Sequence, residues 1–110
     1  MANQLDSFFG AIADPTRRAV IERLVTGPAS VSELAEPHDM ALPSFLKHLN
    51  KLEQAGLIRT IKSWRTRTAY IEPEPLAQAE HWLARQRRLW EGRLDRLALL
   101  AEHLEREDKQ

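Results

Sequence analysis

The chain contains no cysteine. That removes disulfides, thiolate metal sites and cysteine nucleophiles together, and it fits a reducing compartment. Glycine is scarce, with four residues in 110, and none belongs to a phosphate-cradling loop. Neither a Gly-x-Ser-x-Gly elbow nor a His-Glu-x-x-His pair occurs, so an enzyme has no support in the sequence. No stretch approaches the roughly 20 apolar residues of a membrane span. The opening MANQLDSFFGAIADP lacks the basic flank and apolar run of a signal peptide. A cytoplasmic protein without membrane contact is expected. The length predicts one small domain over residues 1–110, which buries little surface alone and gains stability from oligomerisation.

Net charge is lacking too, since 16 Lys and Arg balance 16 Asp and Glu. The balance is uneven along the chain. Residues 44–68 hold six cations (Lys47, Lys51, Arg59, Lys62, Arg65, Arg67) against the single acid Glu53, a local charge of +5. Residues 1–43 carry −3 and residues 72–110 carry −2. A neutral protein that gathers cations on one segment has a polyanion as its expected partner, and double-stranded DNA is the first candidate.

Apolar spacing lays out the elements. Leu5, Phe8, Phe9 and Ile12 follow i, i+3, i+4, i+7, one buried helical face. Asp14 is a candidate cap and Pro15 suits a first helical position. The second helix then runs to about Thr26, with Ala19, Val20, Ile21, Leu24 and Val25 expected inward, and Gly27-Pro28 ends it. Ser30 and Glu33 have capping-box spacing at the start of a short third helix that Pro37 stops. A fourth helix spans about Leu42 to Ala55, with Phe45, Leu49 and Leu52 inside a narrow arc and Pro43, Lys47, Asn50 and Gln54 opposite. Gly56 is its left-handed stop. Leu57–Ser63 and Arg67–Glu72 read as two strands around Trp64-Arg65-Thr66. From Pro75 to about Arg106 one long helix repeats Leu76, Leu83, Trp90, Leu97 and Leu104 every seven residues, widened by Leu89, Leu94 and Leu100. Such a seam predicts pairing with another helix.

The order of elements and the wording ADPTRRAVIERL (13–24), SVSELAEP (30–37), LPSFLKHLNKLEQAGLI (42–58) and PLAQAEHWLARQRRLWEGRLDRL (75–97) resemble the ArsR/SmtB family of winged helix-turn-helix regulators, in its metal-free, autorepressor-like branch. The resemblance implies a mainly α fold: a helix-turn-helix over 30–55, a two-stranded β-hairpin wing over 57–72, and dimerisation helices at 1–13 and 75–106. It implies a homodimer that binds an inverted-repeat operator and represses transcription, with Leu5, Phe8, Phe9, Leu83, Trp90, Leu94, Leu97 and Leu104 at the dimer interface. Where the family commonly has Ser or Gln, this chain has Ala41 and Leu42; it has Leu46 in place of Ser, and Trp64 where the wing usually turns on Gly. An apolar side chain in the major groove reads a thymine methyl and forgoes the hydrogen-bond code.

The candidate DNA-binding residues are Pro43, Ser44, Leu46, Lys47, Asn50 and Lys51 on the fourth helix and Lys62, Arg65 and Arg67 on the wing. The plain alternatives are solvated helix lysines and charges that discourage strand-edge aggregation. His48, on the flank of the core arc, is expected to make a structural hydrogen bond. Trp64 either tucks back on the domain or packs on a sugar. Arg17 and Arg18 are read as structural, because a helix start disfavours cations. No metal or cofactor is expected: the short helix has no thiolates, and His81 and His103 stand far apart, with Arg106 at the carboxylate position of the family's last-helix site. The rival reading is a protein-interaction module whose heptad seam docks a partner helix.

Overall fold

The structure, a computed structural model, describes residues 3–108. Five helices and a three-stranded sheet follow in the order α1 (Gln4–Ile12), α2 (Pro15–Val25), β1 (Ala29–Ser30), α3 (Val31–Ala35), α4 (Leu42–Gln54), β2 (Ile58–Ser63), β3 (Thr66–Ile71) and α5 (Pro73–Asp108). The helix starts obey local chemistry. Asn3 and Asp6 cap α1 reciprocally, Asp14 caps α2 ahead of Pro15, and the Ser30 hydroxyl accepts from the Glu33 amide at α3. In that last cap the Ser30 hydroxyl also donates to the Glu33 carboxylate (3.2 Å), a side-chain variant of the capping box.

The chain divides into two compact units, one through Ala79 and one from Glu80. The first holds the core. Phe45, Leu49 and Leu52 of α4 are buried with Val20, Ile21 and Leu24 of α2, Leu34 of α3, and Leu57, Ile58 and Ala69 around the sheet. Pro75 and Ala79, in the opening turns of α5, are buried as well, and Leu76 packs at the margin. Val25 departs from expectation and is 66% exposed. At about 100° per residue it lies roughly 90° from the centre of the Val20–Ile21–Leu24 face, and it is the final residue of α2, so no further turn brings it round.

The sheet is antiparallel in the order β1-β3-β2. Strand β1 is two residues long and pairs Ala29 with Ala69 and Ser30 with Thr68. It does not stand out in the sequence, because a two-residue strand has no period of its own. Gly56, at φ 75°, turns the chain from α4 into β2 as the sequence predicts. The hairpin closes on a two-residue loop, with Ser63 opposite Thr66.

The second unit is the remainder of α5 and is helical to Asp108. Arg87 pairs with Glu91 (3.8 Å), as its i, i+4 spacing predicts, and His103 pairs with Glu107 (3.0 Å). Both pairs are exposed and contribute little.

Leu52 and Val25 separate buried from exposed positions quantitatively. Leu52→Ala is expected to cost about 2–5 kcal/mol in chemical denaturation, and Val25→Ala to stay within about 0.5 kcal/mol.

Candidate nucleic-acid interface

Helix α4 divides sharply. With Phe45, Leu49 and Leu52 committed to the core, Pro43, Ser44, Leu46, Lys47, Asn50 and Lys51 are all exposed. Ala41, at its N-cap, makes no side-chain capping bond. Pro43 has no amide hydrogen to leave unpaired, so the open donors of this first turn are few.

One side chain of α2, Arg17, ties the end of α1 to the middle of α4, and its neighbour Arg18 serves α1 alone. Arg17 leans back over the end of α1: its Nε donates to the Ala11 carbonyl (2.6 Å) and its Nη2 to the Gly10 carbonyl (3.3 Å). Arg18 Nη1 donates to the Ile12 carbonyl (2.8 Å). The cations at the start of α2 therefore serve the negative end of α1, which resolves the apparent conflict with their own helix dipole. Arg17 then reaches α4, where its Nη1 donates to His48 Nδ1 (2.9 Å). A guanidinium can only donate, so in this bond the imidazole Nδ1 accepts. Asp14 Oδ2 lies 3.7 Å from the same nitrogen. The Arg17 amide bond to Asp14 holds that carboxyl below its ordinary value; burial opposes this, and the positive charge of the Arg17 side chain reinforces it. His48 thus has the structural role its place on the helix predicts.

Around this knot Arg17, Ser44, Lys47, His48 and Lys51 line a cleft of about 250 Å³. Its walls offer a hydroxyl and three fixed cations, a setting suited to an anionic oxygen. Arg17 is the member that sequence reasoning set aside. It stands 31 positions from His48, and no local pattern links the two.

On the wing, Lys62, Arg65 and Arg67 are exposed. Lys62 and Arg67 stand directly opposite each other in the β2–β3 register. Two cations so placed repel, at a cost of about 0.2–1 kcal/mol. Arg67 Nη1 also donates to Thr60 Oγ1 (2.8 Å), while the Thr60 hydroxyl and amide both donate to Glu53 Oε1 (3.0 and 3.2 Å). Glu53, the lone acid of the basic segment, thereby braces the last turn of α4 against the wing. Arg59 is spent within the fold: it pairs with Glu72 (2.8 Å) and lies over Tyr70. Lys47, Lys51 and Lys62 make no ion pair among the described residues. At the loop Trp64 takes φ 57°, the sole positive φ among described residues other than glycine.

Of the residues expected at a subunit contact, Phe8 is only 5% exposed and belongs to the core, while Leu5 and Phe9 pack at its margin. Leu83, Trp90, Leu94, Leu97 and Leu104 are exposed along α5. Among the described residues no three His, Asp or Glu side chains gather as a metal site, and no helix is long and apolar enough to cross a membrane.

A short helix, a turn, a second helix with a cationic outer face and a basic hairpin beside it define a winged helix-turn-helix protein. Comparison with known proteins agrees. The helix-turn-helix domain family matches residues 12–61. The crystal structure of the ArsR family transcriptional regulator RHA00566 is 61% identical, with a TM-score of 0.78, over 81% of this chain and 98% of its own. The ArsR-like transcriptional regulator from Rhodococcus sp. RHA1 is 28% identical, with a TM-score of 0.76, over 89% and 92%. The HTH-type transcriptional regulator Rv2034 of Mycobacterium tuberculosis is 38% identical over 66% of this chain and 67% of its own length. The transcriptional repressor SdpR of Bacillus subtilis is 39% identical over 49% of this chain and 60% of its own. The chain belongs to the ArsR family of winged helix-turn-helix transcriptional regulators. It is a DNA-binding transcriptional regulator, as the basic segment predicts.

The lowered Asp14 carboxyl has a pH signature. A depressed folded value adds stability above the ordinary carboxylate range, and that stability is lost as pH falls through the folded value. Asp14→Ala is therefore expected to cost about 1 kcal/mol near neutrality, the usual worth of an N-cap. A pH series of urea melts should show the penalty shrinking in acid.

Proposed function

We infer that the protein is a homodimeric repressor of an inverted-repeat operator, working in the cytoplasm without a metal or cofactor. The observation that carries this reading is the outer face of α4 set beside the wing's opposed cations. Lys47, Asn50 and Leu46 enter the major groove, with Pro43 and Ser44 leading and Lys51 at a flanking phosphate. Lys62, Arg65 and Arg67 follow the backbone beside it. The Lys62–Arg67 repulsion is relieved when a polyanion arrives, so a local cost in the free protein becomes a contribution to binding. Leu46, in place of a polar residue, reads a thymine methyl.

Dimerisation rests on α5. Leu83, Trp90, Leu97 and Leu104 recur every seven residues and are each 51–56% exposed, an apolar row that water does not favour on an isolated helix. Leu94 widens the row, and Leu5 and Phe9 add the partly covered face of α1. Phe8 supports this face from inside the core. Repression is what the name of the Bacillus subtilis relative states for that protein, and a two-fold dimer matches a palindromic site whose half-sites lie about one helical turn apart. Metal independence is supported by the absence of cysteine and by the engagement of His103 with Glu107.

Capture of genomic fragments by the purified protein, followed by sequencing, tests the whole reading; an inverted repeat upstream of genes is expected, and recovery of no enriched sequence would contradict it. On the recovered site Lys47→Ala should cost about 1–3 kcal/mol and narrow the preference over scrambled DNA. Arg67→Ala should weaken both DNAs alike and flatten the salt dependence. Sedimentation of Leu97→Glu should show monomer or unfolded chain where the parent is a dimer. A Leu97→Glu protein that stays dimeric would move the interface off α5.

A further inference from the structure

We propose that Trp64 is itself a DNA contact: its ring packs against the sugar wall of the minor groove and carries the Arg65 guanidinium into that groove. This rests on the DNA-binding reading above, adds to it a contact residue at the tip of the wing, and takes Arg65 past the backbone into the groove beside it.

Three observations lead here. Trp64 is 82% exposed, the highest exposure among the large hydrophobic residues that stand open, so it does not tuck back on the domain. Its backbone is held at φ 57°, a region that the first position of a two-residue hairpin loop usually gives to glycine. A bulky residue there is strained, and such strain persists where the side chain has a use. Finally, the Arg65 guanidinium lies 5.3 Å from the centre of the Trp64 ring, within cation–π range. The ring therefore holds a cation at the hairpin's outermost point, beside Lys62 and Arg67. An indole has an apolar face suited to deoxyribose and a single N–H donor for a groove acceptor. A guanidinium suits the negative potential of a narrow A·T minor groove. The pair thus reads groove width and composition, which the apolar front of α4 does not.

The strain supplies the test, because stability and affinity should move in opposite directions. Trp64→Gly relieves the backbone and should raise the melting temperature. It should also weaken binding to a 40-base-pair A·T-only duplex on the order of fivefold, the worth of one aromatic contact. Trp64→Phe keeps most of the ring and should keep most of the affinity. Arg65→Gln should lose the preference for the A·T-only duplex over a G·C-only duplex of equal length. The proposal is overturned if Trp64→Gly binds as tightly as the parent with the same A·T preference. It is also overturned if Trp64→Gly lowers the melting temperature, because the indole would then be holding the hairpin together. A parent protein that binds neither duplex also overturns it, because the Trp64–Arg65 pair would then contribute no A·T groove contact, whereas loss of binding to the captured operator would instead remove the operator reading on which the proposal stands.

Discussion

Lys47, Asn50 and Ser44 face outward because Phe45, Leu49 and Leu52 are committed inward. A thirteen-residue helix has room for one buried stripe and one displayed stripe, and each fixes the other. If α4 rolled by one residue, Leu46 would enter the core and Phe45 would meet solvent. Burial of three large side chains, worth about 1.5–3 kcal/mol each, makes that rotation costly. The display of cations is a consequence of the core. Everything else around α4 refines its aim: Arg17 holds its middle through His48, Gly56 releases the chain at its end, and Glu53 ties its last turn to Thr60 on the wing.

These polar devices also distribute charge. The basic segment has six cations, and the fold neutralises Arg59 with Glu72. Arg67 is steered by a hydroxyl, which leaves its charge intact. Lys47, Lys51 and Lys62 remain as open charges. The opposed pair Lys62 and Arg67 works against the free hairpin and in favour of a complex with an anion. Trp64 adds backbone strain at the same hairpin. A small domain accepts such costs on its wing because the core is built elsewhere, around α2, α4 and the inner ends of the strands.

Much of this was legible in the residues. Helix limits followed from Asp14-Pro15, Ser30, Pro37 and Gly56, since caps and stops act over three or four positions. The core arc of α4 followed from its period, and the wing from two β-branched runs around a short loop. Contacts between distant segments were not legible. Strand β1 exists only because β3 is there to pair with it. The Arg17–His48 bond joins positions with no shared period, so Arg17 was read as structural without its place beside Ser44 and Lys47 coming into view. Val25 faces solvent although its spacing points inward, because periodicity says nothing about where a partner surface ends. The family wording found the fold, while Ala41, Leu42 and Leu46 mark where its usual base contacts do not carry over.

Regulation by this protein requires that α4 and the wing be the surface that meets DNA. Amide hydrogen exchange of the full chain, free and saturated with its captured operator duplex, tests this most directly. Slowed exchange is expected in two places, the exposed turns of α4 around Ser44 to Lys51 and the hairpin from Lys62 to Arg67. Slowing confined to α5 between Leu89 and Leu104, with α4 and the hairpin unchanged, would contradict it.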